Sequence, residues 1–350
     1  MKYTKLLLIW IICSFPCVLF SATFSTFYGP LEVNEPVLIE LIESPCFQRL
    51  KNIHQYGVSY YTSHQEEYNR YDHSLGVFAI LRLKGASLEE QIAGLLHDVS
   101  HTAFSHVGDW VFKKNNQETD YQNSIHEHFI WKYGLGDILM KYKISPEQIL
   151  PVESLHPMLE QKGPALCADR IEYNIQGAFY QNFITYEEAL QILDDLRYIN
   201  GNWICSKPEL MKKLGYFALF MSHTCWGSVH NHCVSTWLAQ ALLRAVDIKL
   251  ISLDDIHIGR DDHIWNCLCC CQDEAILNLI HKILFADSYY VVVNESSEAA
   301  YHLKSKFRGI NPFVVTAEGI KKLTEVDADY REEYAKTKAL MERGWWLELK

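Results

Sequence analysis

Residues 95–109 read LLHDVSHTAFSHVGD. Three imidazoles (His97, His101, His106) and two carboxylates (Asp98, Asp109) fall in this short stretch, directly after an apolar run. The preceding residues, LEEQIAGLL (88–96), place Leu88, Ile92, Leu95 and Leu96 on one stripe at helical spacing, so they predict an amphipathic helix that ends at His97–Asp98. Adjacent helical residues point about 100° apart. His97 and Asp98 can therefore share one ion only at the helix end, where ring nitrogen and carboxylate oxygen converge. That donor pair suits Zn, Mn, Fe or Ni. Two ligands are too few, and the others must come from neighbouring helices.

Two residues answer that need. His73, in NRYDHSLG, opens a predicted helix over YDHSLGVFAILRL (71–83). Asp169, in CADRIEY, sits between Leu166 and Ile171, an apolar setting in which an unpaired carboxylate is costly. A metal, or the adjacent Arg170, would neutralise it. Histidine is concentrated in this part of the chain, with eight of the sixteen lying between His54 and His128. If the 88–96 helix continues, His101 shares a face with His97, and Tyr173 lies one turn after Asp169.

Working outward, the pattern from Glu35 to Phe183 is mostly helical, with Pro164 suited to the first turn of a helix through ALCADRIEYNIQG (165–177). SVHNHCVSTWLAQALLRA (228–245) predicts a long apolar helix, SYYVVV (288–293) a strand, PFVV (312–315) a strand that could pair with it, and the charged tail 319–343 a helix. The expected fold class is mainly α, a helical core over residues 26–200 followed by a helical extension and a small mixed α/β region over 201–350, that is, a smaller C-terminal α+β segment.

The chain has 350 residues, 49% hydrophobic and 13% aromatic, enough for one large core or two modest ones. Its net charge of −11 argues against broad contact with a nucleic-acid backbone, so no nucleic-acid partner is expected. Residues 1–25 follow the order of a secretory signal peptide: Lys2 and Lys5, an apolar run from Leu6 to Phe20, then Ser21, Ala22 and Ser25. With cleavage, no membrane span is expected and the mature protein would be secreted or periplasmic; without it, cytoplasmic. Cleavage would remove Cys13 and Cys17 and leave an odd number of cysteines, which does not suit a disulfide framework. The CLCCC run (267–271) lacks a second half with metal-ligand spacing and reads as ordinary thiols.

The ordered set SPCFQRLKNIHQYG, NRYDHSLGV, LLHDVSHTAFSHVGD, SIHEHF and ADRIEY resembles the HD-domain phosphohydrolase superfamily. Within it the set is most similar to the deoxynucleoside triphosphate triphosphohydrolase branch that carries a sterile alpha motif, here without that motif. The likeness covers about residues 27–185 and resumes weakly at KFRGINP (306–312). It implies an all-α HD core, homo-oligomers, and His73, His97, Asp98 and Asp169 as ligands of a divalent transition metal (Fe, Mn, Zn or Ni), with Mg a candidate at the phosphates. It further implies His126 and Asp109 as a catalytic pair, His101 and His106 in the same pocket, and Arg70, Arg170 and Tyr173 on phosphates and sugar. The chain departs from the family pattern at Ser100, Gln176 and Gly177.

Three activities stay open. One is metal-dependent hydrolysis of deoxynucleoside triphosphates to deoxynucleoside and triphosphate. The second is a nucleotide phosphomonoesterase or phosphodiesterase on the same site. The third is a secreted nucleotide-binding protein without turnover.

Overall fold

The computed structural model describes residues 21–63, 68–112, 121–294 and 301–350. Residues 1–20, most of the expected signal peptide, lie outside them. The next residues form β1 (Ala22–Thr26), which pairs antiparallel with β2 (Gly29–Val33), Ala22 opposite Val33 and Thr26 opposite Gly29. Phe24 and Leu31 of this hairpin pack on the main core, so Ala22 and Ser25 belong to the folded body.

Two of the helices that carry the titratable cluster start at side-chain caps. Helix Arg70–Leu83 begins after Asn69, whose side chain accepts from the Asp72 N–H, and helix Leu88–Leu96 after Ser87, which accepts from the Glu90 N–H. These two helices pack on each other, and helix Ala168–Tyr180 packs on the first of them. Their apolar faces, together with those of Pro36–Glu43, Tyr121–Lys132 and Pro208–Met221, enclose fully buried Phe47, Phe78 and Phe217. Each such ring contributes on the order of 2–3 kcal/mol through burial.

Two small sheets follow. One contains β3 (Arg197–Ile199), β4 (Asn202–Cys205), β7 (Phe313–Thr316) and β8 (Gly319–Lys322) in that order, with β4 and β7 parallel. The other places β9 (Trp345–Leu349) between β5 (Tyr290–Val293) and β6 (Tyr301–Leu303). The expected pairing of 312–315 with 288–293 is thus corrected: the two strands lie in different sheets, because parallel pairing with β4 draws β7 back to the first core. The 319–343 tail opens as strand β8 before helix Ala328–Arg343. Pro164 does not start the helix; Cys167 is extended at its N-cap and Ala168 is its first residue.

The packing runs across the expected boundary at residue 200. The main core takes in helix Pro208–Met221 and also Ile310, Val314, Leu323 and Tyr330. A second apolar cluster is built on helices Val229–Asp247, Asp261–Cys269 and Glu274–Leu284, and it absorbs Ala103, Phe104, Val107 and Val111 from the histidine-rich segment. That segment lies at the seam of the two clusters. Among the described residues no helix is long and apolar enough to cross a membrane, and the described cysteines are free thiols.

Candidate functional site

Three helices deliver four groups to one point. His73 comes from the first turn of Arg70–Leu83, His97 and Asp98 from the end of Leu88–Leu96, and Asp169 from the first turn of Ala168–Tyr180. His73 Nε2 lies 3.2 Å from His97 Nε2 and 3.0 Å from Asp169 Oδ1. His97 Nε2 lies 3.5 Å from the same carboxylate oxygen. Asp98 approaches both rings, with Oδ1 3.4 Å from His97 Nε2 and Oδ2 3.7 Å from His73 Nε2. His73, His97 and Asp169 form a set of mutually close donors suited to a metal ion. Asp98 stands at its edge.

The other ring nitrogens explain what this point is for. His73 Nδ1 is hydrogen-bonded to the Glu172 carboxylate, and His97 Nδ1 donates to the Gly94 carbonyl at 2.7 Å. Both imidazoles in their neutral form therefore turn a lone pair from Nε2 toward each other and toward a carboxylate oxygen. Acceptors so arranged, buried and without a donor among them, fit a cation. In the metal-free chain a proton serves instead. Burial alone would push His73 down, but Glu172, Asp169 and Asp98 outweigh it and lift the ring to about 10. Burial raises the half-buried Asp169 carboxyl, but the same two imidazoles outweigh it and hold the group well below the usual carboxylate range.

Asp98 is fixed from behind. Arg70, 3% exposed, pairs with its Oδ2 and donates from Nε to Ser105 Oγ at 2.7 Å. His101 Nε2 lies 3.2 Å from Asp98 Oδ1. Burial, reinforced by Arg70, pushes the His101 ring down to about 3, so it is neutral, and its Nδ1 has no partner among the described residues. Arg70 thus positions Asp98, and it also lines the cavity where phosphate was expected.

The expected His126–Asp109 pair does not form. His126 Nδ1 is hydrogen-bonded to Ser100 Oγ at 2.7 Å, and burial pushes the ring down to about 4. Asp109 instead faces His106, at 3.3 Å, and accepts the Tyr121 N–H at 2.8 Å. Burial raises the Asp109 carboxyl, but the His106 and Tyr121 contacts more than offset this and leave it below the usual range. The physical reason is local: His106 and Asp109 are three apart at the start of one helix, whereas Ser100, where the family pattern has glycine, reaches His126 first.

Apart from His126, every residue expected at the site lines one cavity of about 470 Å³, including Arg170, Tyr173, His101, His106 and Asp109. Arg170 donates to the Ala165 carbonyl at 2.8 Å, and Tyr173 meets Trp226 edge-on at 5.3 Å between centroids. The sequence reading missed Glu172, fully buried and joined to both His73 and Gln176. Its signal was present, since Asp169 and Glu172 are three apart on one helix face. Gln176, noted only as a departure, is the residue that holds Glu172 in place.

The HD domain family profile matches residues 70–156. The chain is 35% identical over 296 residues to the uncharacterized protein YdhJ of Bacillus subtilis, covering 82% of this chain and 86% of that one. It is 39% identical over 170 residues to the metal-dependent phosphohydrolase cns2 of Cordyceps militaris, covering 49% and 48%. To the deoxynucleoside triphosphate triphosphohydrolase SAMHD1 of Homo sapiens it is 26% identical over 281 residues, covering 63% and 44%. The chain therefore spans about half or less of the length of these last two relatives. Among solved structures, the fold is similar to a hypothetical protein from Aquifex aeolicus, with a TM-score of 0.66 at 17% identity over 91% of this chain and 99% of that one. It is also similar to a phosphohydrolase from Bacteroides thetaiotaomicron, with a TM-score of 0.62 at 16% identity over 93% and 98%.

Proposed function

The chain belongs to the HD domain family, and from that premise we propose that it is a metal-dependent phosphohydrolase that cleaves deoxynucleoside triphosphates to deoxynucleoside and triphosphate. The observation that carries this reading is the convergence of His73, His97 and Asp169 on one point, with Asp98 against both rings. His73, His97, Asp98 and Asp169 would hold the ion. A divalent ion held there supplies Lewis acidity, polarising a phosphoryl oxygen and making a water more acidic.

The protein's own residues do the rest. Glu172 and the Gly94 carbonyl fix the ring tautomers, and Arg70 with His101 orients Asp98. Arg170 and Tyr173 line the cavity beside Asp169, where they meet phosphate and sugar. Asp109 stays ionised and holds His106 at the cavity wall. His106 is thereby placed to deliver a proton to the leaving oxygen. His126, buried and turned to Ser100, is assigned no proton-transfer step in this reading.

Product analysis tests the reaction. Each of the four deoxynucleoside triphosphates is incubated with the metal-loaded protein. Equimolar deoxynucleoside and inorganic triphosphate support the reading. Orthophosphate or a monophosphate product points to a phosphomonoesterase or phosphodiesterase instead, a reading favoured by the higher identity to a relative named only as a metal-dependent phosphohydrolase. Assembly into homo-oligomers belongs to the same proposal and is read by light scattering.

A further inference from the structure

A phosphate chain longer than one unit needs cations beyond the metal, and the cavity supplies them from an unexpected place. Of its lining cations, Arg70 pairs with Asp98, and Arg170, beside Asp169, already donates to the Ala165 carbonyl and is placed for the reacting phosphate. Lys306 and Arg308 also line it, and among the described residues neither side chain has a carboxylate partner. They lie on the KFRGINP segment, a stretch without regular structure that is nonetheless anchored on both sides of Arg308. Phe307 packs edge-on against Tyr334 at 5.1 Å, and Ile310 is fully buried. The Arg308 N–H donates to the buried Ser222 Oγ at 3.2 Å, and the Asn311 N–H to the Pro164 carbonyl at 3.0 Å. With Phe307 and Ile310 turned into the core, Lys306 and Arg308 share the cavity side. Lys306 is exposed and Arg308 half-buried. Arg308 is close enough to Tyr173 for its charge to oppose the burial-driven rise of that phenol.

We propose that Lys306 and Arg308 form a polyphosphate subsite that binds the phosphates beyond the reacting one, and so select nucleoside polyphosphates over monophosphate esters. Two unneutralised cations, one of them a planar guanidinium fork, match a chain of phosphates with several negative charges. The inference rests on the phosphohydrolase reading above and adds to it the residues that set substrate length.

The test uses the full-length, metal-loaded protein and the Lys306→Met, Arg308→Met and double variants. Binding of inorganic triphosphate is measured by calorimetry, and KM and kcat with a deoxynucleoside triphosphate. Loss of one charge-assisted contact weakens binding about tenfold. Each single variant is expected to raise the triphosphate dissociation constant and KM about tenfold, and the double variant further, with a much smaller change in kcat. Arg308→Lys, which keeps the charge, should recover part of the loss and controls for folding. Unchanged triphosphate binding in the double variant overturns the proposal, as does a wild-type protein that binds no triphosphate. A protein that binds triphosphate through these residues but hydrolyses no phosphate compound would keep the subsite and refute the hydrolase reading.

Discussion

Two imidazoles whose lone pairs meet across 3.2 Å, beside a carboxylate, are tolerated in a folded chain only if something positive sits between them. Glu172 enforces that arrangement by gripping the far side of His73. Carboxylates behind metal-binding histidines typically contribute 10–100-fold to affinity. Glu172→Gln is therefore expected to weaken metal binding by about that factor, measured by competition with a chelating dye; an unchanged affinity would remove Glu172 from the account. His126 gives a second prediction at this scale, on stability. Its folded pKa, about 4, lies below the unfolded value of 6.5. Between those pH values the unfolded chain takes up a proton that the folded chain refuses. The stabilisation is thus complete above about pH 6.5 and is lost as pH falls toward 4. His126→Gln should flatten that limb of the stability curve by on the order of 3 kcal/mol, read by urea unfolding across pH 4–7. Identical curves would show that the ring is not held neutral. Much at this scale was legible in the sequence, because His73, His97, Asp98 and Asp169 have metal-liking chemistry whatever surrounds them. The His126–Asp109 pairing was not, since hydrogen-bond choice depends on which partner arrives first, and Ser100 does.

Among the elements, helix Ala168–Tyr180 does the most. It presents Asp169 to the candidate metal point, Arg170 and Tyr173 to the cavity, and Glu172 to His73, and it braces Glu172 with Gln176. The crossing with helix Arg70–Leu83 leaves room for Glu172 only because residue 76 is glycine: a Cβ there would lie 2.2 Å from Glu172 Oε1. Replacing a mid-helix glycine by alanine ordinarily stabilises by about 1 kcal/mol. Here the sign is expected to reverse. Gly76→Ala should lower the melting temperature and weaken metal binding together, because it expels Glu172. A stabilised variant with full metal affinity would contradict this packing. The helices themselves were legible from apolar spacing and caps. The helix start at Ala168 was not, since Cys167 takes an extended conformation that no local pattern announces. The fate of residues 312–315 was also hidden, because parallel pairing to a strand more than a hundred positions earlier leaves no trace in periodicity.

In the whole molecule, the site is a joint product of two apolar clusters. The first supplies the four candidate ligands. The second supplies Asp261, whose oxygens accept the N–H groups of Phe104 (2.7 Å) and His54 (2.9 Å), while Arg49 ties the Val99 and His101 carbonyls to that of Gly259. These contacts hold Phe104 and Ser105 in the left-handed region, at φ 59° and 57°, three and four residues after His101. Asp261→Ala would remove the acceptor of the buried Phe104 N–H, at about 1–3 kcal/mol, and that of the half-buried His54 N–H. It should destabilise the protein and impair the site although Asp261 touches no candidate ligand, as read by calorimetry and by metal affinity on the folded fraction. Intact metal affinity in that fraction would show that the second cluster is dispensable to the site. A boundary at residue 200 leaves this joint out, because the segment that carries the histidines packs its far half on the later helices. The most direct test of the central claim is the metal content of the purified chain, measured by elemental analysis for the wild type and for His73→Ala combined with Asp169→Ala. About one divalent transition-metal ion per wild-type chain, and almost none in the folded double variant, is the predicted result; equal metal content in the two proteins would contradict it.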